Sequence, residues 1–82
     1  MAQVTLTQAL SDRFTSGETS LTVTASNVRE LLRTLDADFP GLGKEIEQAQ
    51  ILAIDGEMFR EPFMQTIKPD SEVYVLPKIA AG

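Results

Sequence analysis

Two pairs of closely spaced carboxylates, Asp36 with Asp38 and Glu45 with Glu47, are the residues whose types and spacing first suggest acid–base chemistry. Such work needs a second group whose environment holds it in a different protonation state, or a nucleophile beside the acid. The chain contains no histidine and no cysteine. The missing histidine removes the commonest general base and the commonest metal ligand. The missing cysteine removes a thiolate nucleophile, a thiolate metal site and any disulfide framework. The carboxylates therefore read as solvated acidic surface. Gly41 and Gly43 stand too close together to form a phosphate-binding loop, whose fuller pattern is absent. No catalytic set, no metal site and no bound cofactor are expected.

The remaining candidate is the end of the chain, Lys78-Ile79-Ala80-Ala81-Gly82. It has no periodicity and ends in small residues, so residues 77–82 are expected to form a flexible tail. By its residues alone this is an ordinary frayed terminus.

Whatever the tail does, a small domain must present it. The 82 residues are enough for one domain and one thin core. The formal net charge is -5, and the seven Lys and Arg residues are scattered along the sequence, which argues against a nucleic-acid partner. An acidic surface suits a basic protein partner, or simply solubility. No run approaches the roughly 20 apolar residues of a membrane span, and Met1-Ala2-Gln3-Val4 does not resemble a signal peptide. A cytoplasmic location with no membrane partner is the expectation.

Val4 and Leu6 alternate with Gln3, Thr5 and Thr7, and with Leu10 following they predict a half-buried first strand. Ser16-Gly17-Glu18 supplies a turn, and Thr19 to Ala25 alternates again, so a hairpin with a short polar link is the economical pairing. Asn27 then caps a helix, with Glu30 at the capping-box position and Val28, Leu31, Leu32 and Leu35 on one stripe. Phe39-Pro40-Gly41-Leu42-Gly43 ends it, with at most one further helical turn over Lys44 to Gln48. Ile51-Leu52-Ala53-Ile54 reads as a buried central strand closed by Asp55-Gly56, and Glu72 to Leu76 as a last strand ended by Pro77. Between them Met58, Phe59, Phe63 and Met64 lie in a segment of mixed character, some completing the core and others exposed. A hairpin cannot bury its apolar face alone, so the helix must cover one face of the sheet. With the last strand in the middle and parallel to the first, the expected fold is α+β: a β-grasp (ubiquitin-like) mixed sheet of four or five strands with one main helix. The expected core is Val4, Leu6, Leu21, Val23, Val28, Leu31, Leu32, Leu35, Ile54, Val73 and Val75.

Four stretches carry a resemblance that spans nearly the whole chain: Asn27-Val28-Arg29-Glu30-Leu31-Leu32, Phe39-Pro40-Gly41-Leu42, Leu52-Ala53-Ile54-Asp55-Gly56, and the ending from Pro69 to Gly82. In this order the chain resembles the MoaD/ThiS family of ubiquitin-like sulfur-carrier proteins, and MoaD-like members in particular. Three departures stand out. Ala81 replaces the first glycine of the family's terminal Gly-Gly, Lys78 replaces a proline, and Asp70-Ser71 replaces Gly-Asp.

The resemblance implies that the chain is a carrier and not an enzyme, although it could serve as the small subunit of molybdopterin synthase. An E1-like adenylating enzyme of the MoeB/ThiF type would use ATP to activate the carboxyl of Gly82. Sulfur would then displace AMP to leave a thiocarboxylate, which donates sulfur to an acceptor such as the molybdopterin synthase large subunit. Ile79, Ala80 and Ala81 would enter the partner's active site. Glycine permits close backbone approach there, and Ala81 adds one methyl. Leu76, out of phase with Val73 and Val75, should face away from the helix-covered core, and with Phe59 it forms the expected partner-binding surface. Molybdopterin synthesis is the first expectation. The alternatives are thiamine synthesis, cysteine synthesis or tRNA thiolation, or a ubiquitin-like binding module without carrier activity.

Overall fold

The computed structural model describes residues 1–59 and 62–77. In chain order these form β1 (Ala2–Thr5), α1 (Gln8–Phe14), β2 (Ser20–Val23), α2 (Val28–Asp38), α3 (Leu42–Ala49), β3 (Gln50–Ile54), β4 (Glu57–Phe59), a 3₁₀ turn (Pro62–Met64) and β5 (Glu72–Pro77). The five strands make one mixed sheet in the order β2-β1-β5-β3-β4. β5 occupies the centre, parallel to β1 with Val4 opposite Val73 and antiparallel to β3 with Leu52 opposite Val75. This is the β-grasp arrangement expected from the sequence.

The first two strands do pair antiparallel, Val4 facing Leu21, but a helix joins them where a short polar link was expected. Leu10 belongs to that helix, α1, and not to the first strand. Thr7 caps it by accepting the Leu10 N–H at 3.2 Å, and Leu10 is 2% exposed within the core. The alternation of Val4 and Leu6 ends at this cap.

α2 follows its sequence closely. The Asn27 side chain accepts the Glu30 N–H at 2.8 Å, and the Glu30 carboxylate reaches back to the Ser26 N–H at 3.2 Å. The capping box thus closes one residue earlier than its usual form. Val28, Leu31, Leu32 and Leu35 are all buried. α3 is a full helix and not a single turn, and it contributes Leu42 and Ile46 to the core. Gly43, expected to interrupt helix, lies inside it because α3 crosses α2 at a point with no room for a Cβ.

Ten of the eleven expected core residues are buried; Leu21 is only half-buried because it lies on an edge strand. Ala2, Leu10, Leu42, Ile46, Leu52 and Ile67 complete the core. β3 is an interior strand buried on one face only: Leu52 and Ile54 point to the core, while Ile51 and Ala53 are half-buried on the other side.

The turn between β3 and β4 places Asp55 and Gly56 at φ of 50° and 87°, as a two-residue hairpin loop requires. Asp55 also ties this turn to the start of β5. Its carboxylate accepts the Glu72 N–H and the Ser71 hydroxyl, each at 2.9 Å. Ser71, 2% exposed, in turn accepts the Lys68 N–H at 2.9 Å.

The Glu72 N–H, then the Ser71 hydroxyl, hold the Asp55 carboxyl below its ordinary pKa, with Lys68 adding a smaller push in the same direction. The depressed value means the ionised form is favoured by folding. Its stabilisation is therefore complete above the unfolded aspartate pKa and is lost as pH falls below about 4. Asp55→Asn keeps a residue that tolerates positive φ but removes the charge. Its urea midpoint is expected to lie below that of the native chain at pH 6, with the gap narrowing as pH drops towards 3. A gap that stays constant with pH would show that geometry, not charge, is what Asp55 supplies.

Candidate functional site

Among the described residues, helices cover one face of the sheet and none lies on the other, which is open. Because side chains alternate along a strand, the register decides what the open face carries. Tyr74 and Leu76 of β5 lie opposite Ala53 and Ile51 of β3, and Met58 of β4 lies on the far side of Ala53. Tyr74 is 45% exposed and Met58 63%, while Ile51, Ala53 and Leu76 are half-buried among their neighbours. These five apolar side chains form one patch over β5, β3 and β4. On the same face, β1 and β2 carry Gln3, Thr5, Ser20 and Thr22, so the patch is bounded by polar residues on that side. An exposed apolar patch with a polar border has the anatomy of a docking surface.

Leu76 thus lies where its phase on the strand put it, facing away from Val73 and Val75, which are 0% and 3% exposed. Phe59 does not join it. Paired with the buried Leu52, Phe59 turns to the core side and packs half-buried against the core. The two candidate docking residues therefore lie on opposite faces. Ile51, Ala53, Met58 and Tyr74 were not singled out from the sequence. Reading Ile51 and Ala53 as part of a fully buried run concealed them.

β5 carries the chain out of the middle of the sheet, held by β1 on one side and β3 on the other, and its last residue is Pro77, paired with Gln50. Ile79, Ala80, Ala81 and Gly82 lie outside the described residues. The strand leading to them is paired with β1 as far as Tyr74 and with β3 as far as Pro77, and Leu76, next to its last residue, lies at one end of the apolar patch.

The carboxylate pairs have other occupations. Asp36 accepts the backbone N–H groups of Gly41 at 3.1 Å and Lys44 at 3.3 Å, so it caps the start of α3. Glu45 forms an ion pair with Arg13 at 2.7 Å. Asp38 and Glu47 are exposed. Among the described residues no cluster of three or more potential metal ligands comes together, and no helix is long and apolar enough to cross a membrane.

Neither a protein-family profile nor a curated protein matches the sequence. Solved structures do match the backbone. CysO of Mycobacterium tuberculosis, described as an antigen, aligns with a TM-score of 0.84 at 16% identity, over 96% of this chain and 100% of that one. A chain of the Amycolatopsis orientalis BexX/CysO complex aligns with a TM-score of 0.85 at 18% identity, over the full length of both. Small archaeal modifier protein 1 of Methanosarcina acetivorans aligns with a TM-score of 0.78 at 21% identity, over 99% of this chain and 95% of that one. The shared backbone is the ubiquitin-like β-grasp.

Proposed function

We propose that this chain is a ubiquitin-like sulfur carrier whose reactive group is the carboxyl of Gly82. The observation that carries the reading is the placement of β5: the strand leading to the tail runs up the centre of the sheet through an exposed apolar patch. A partner that grips Ile51, Met58, Tyr74 and Leu76 fixes the origin of the tail relative to its own active site. Ile79, Ala80 and Ala81 then have only a short span over which to deliver Gly82. The full-length MoaD/ThiS resemblance supports the same reading, as does the similarity to a protein named as a modifier and to a chain of a complex with BexX.

The chemistry belongs to the partner. The Gly82 carboxylate attacks the α-phosphorus of ATP, pyrophosphate leaves, and the carboxyl becomes an acyl adenylate. A sulfide-level sulfur donor then attacks the acyl carbon, AMP leaves with the electron pair of the broken C–O bond, and a thiocarboxylate remains. The chain contributes position and an unhindered carbonyl. We place this carrier in the cytoplasm, with a MoeB/ThiF-type enzyme as adenylating partner. Molybdopterin synthesis, with the large subunit of its synthase as sulfur acceptor, comes first on the strength of the Phe39-Pro40-Gly41-Leu42 turn.

The direct test is incubation with ATP, sulfide and each E1-like enzyme of the source organism, followed by intact mass. The expected result is a gain equal to the difference between one sulfur and one oxygen. No gain with any of these enzymes would favour the second reading, a ubiquitin-like binding module. The apolar patch supports that reading too, because it can dock a partner without using the tail.

Leu76→Glu separates docking from folding. It places a charge in the patch while leaving Val73 and Val75 in the core, and the loss of an apolar anchor at an interface centre costs more than about 1 kcal/mol. The expected result is weaker partner binding by isothermal titration with an unchanged circular dichroism spectrum. Normal binding would remove Leu76 from the interface, and an unfolded variant would show that its half-buried side is needed by the core.

A further inference from the structure

The basic residues are scattered in sequence, yet three of the seven, Arg29, Arg33 and Lys44, line a single groove. It runs between α2 and α3 on the helical side of the domain, away from the open sheet face, and encloses about 440 Å³. Arg29 and Arg33 stand one turn apart and so project from the same side of α2. Lys44, in the first turn of α3, lines the facing wall. Leu32 and Gly43, both buried, and the half-buried Phe63 supply the apolar lining. Arg29 and Phe63 also line an adjoining depression of about 250 Å³ with Asn27 and Met64, and Met64 is 84% exposed.

Two acidic residues share the groove, Asp36 and Glu47. One Asp36 oxygen is already taken by the N–H groups of Gly41 and Lys44. Among the described residues the only ion pair is Arg13–Glu45, and none of Arg29, Arg33 and Lys44 is paired with another of them. The groove lining thus carries more basic than acidic groups in a chain whose net charge is -5. An acidic segment that enters it meets an aromatic ring and a flexible methionine beside the guanidinium groups. Arginine, aromatic and methionine side chains are the types enriched at interface cores.

We propose that this groove binds an acidic peptide segment of a partner protein, anchored by an apolar side chain against Phe63 and Met64. The site is separate from the tail chemistry and does not depend on it. It permits the domain to hold a second protein while the open sheet face is engaged.

The test uses the full chain, isotope-labelled for NMR, and a short synthetic peptide with Leu-Phe flanked on both sides by runs of Asp and Glu. Shifts are expected at Arg29, Arg33, Lys44, Phe63 and Met64, with affinity falling at least about tenfold between about 20 and 300 mM salt as the charges are screened. Arg29→Glu with Arg33→Glu is expected to weaken binding by a further factor of about ten or more. Both positions are exposed, so the fold should persist. A peptide with Ser-Ser in place of Leu-Phe should bind measurably more weakly. Shifts on the open sheet face, unchanged binding by the double variant, equal binding of the Ser-Ser peptide, or equal binding of a single-stranded oligonucleotide would each overturn the proposal. So would concentration-dependent dimerisation abolished by the double variant, which would assign the groove to a second copy of the chain.

Discussion

Removing Gly82 is expected to abolish thiocarboxylate formation outright, while Ala81→Gly should leave its rate equal or raised. The deletion makes Ala81 the terminal residue, so the activated carboxyl is both one residue short of its site and flanked by a methyl. Anchoring of β5 between β1 and β3 gives the domain little means of compensating. The shortened tail cannot be extended without breaking the pairs that Val75, Leu76 and Pro77 make with β3. Ala81→Gly removes a single methyl from the segment proposed to enter the partner's active site. One such group discriminates by about 1–3 kcal/mol in a tight pocket, which bounds the gain at roughly ten- to two-hundred-fold. The measurement is the loading rate of the three forms with one adenylating partner, read by mass. A native chain that loads faster than Ala81→Gly would mean that the partner is shaped around the methyl. Loading confined to Ala81→Gly would sink the carrier reading for the native chain.

The second large effect concerns the fold. Gly43→Ala is expected to destabilise the protein by about 1–3 kcal/mol, the usual range for overpacking. Helix propensity alone predicts the opposite sign, since alanine is favoured over glycine by about 1 kcal/mol in a helix interior. The difference comes from where α3 crosses α2. A Cβ on Gly43 would overlap the Leu32 carbonyl oxygen and lie 3.0 Å from the Asp36 Cβ and 3.1 Å from the Leu32 carbonyl carbon. Two of those three atoms are backbone and cannot rotate aside, so α3 must lift. Lifting α3 loosens Leu42 and Ile46, 0% and 2% exposed, and strains the hydrogen bonds that Asp36 makes to Gly41 and Lys44. Urea titration should show a lower midpoint with the same slope. A variant as stable as the native chain would show that the two helices have room to spare.

Much of the sheet was legible because its strands are half-buried and alternate. Val4 and Leu6, Leu21 and Val23, and Val73 and Val75 each mark a face. The apolar strength of the last strand also placed it correctly at the centre, parallel to the first. α2 was legible from its cap and stripe together. α1 was not, because Val4 and Leu6 keep period two right up to Thr7, and Leu10 and Phe14 are too few to announce a helix. Thr7, a capping residue with Leu6 before it and Leu10 and Phe14 after it at intervals of four, was the available signal. α3 was hidden by Gly43, which lowers helix propensity and was read as a breaker.

What the sequence determined by itself is local: the period of β1, β2 and β5, the cap and stripe of α2, the turn at Asp55-Gly56, and the exclusion of histidine and cysteine chemistry. Those properties depend on a residue and its near neighbours, so they can be read along the chain. What only the tertiary structure decided depends on register and crossing between distant segments. The pairing of β4 with β3 sends Phe59 inward and Met58 outward. The antiparallel match of β3 and β5 gathers Ile51, Ala53, Tyr74 and Leu76 into one patch. The approach of α3 to α2 leaves no room for a Cβ at Gly43 and brings Lys44 to the groove lined by Arg29 and Arg33. Side chains far apart in sequence share a surface only when two elements meet in a particular register, and core packing selects that register.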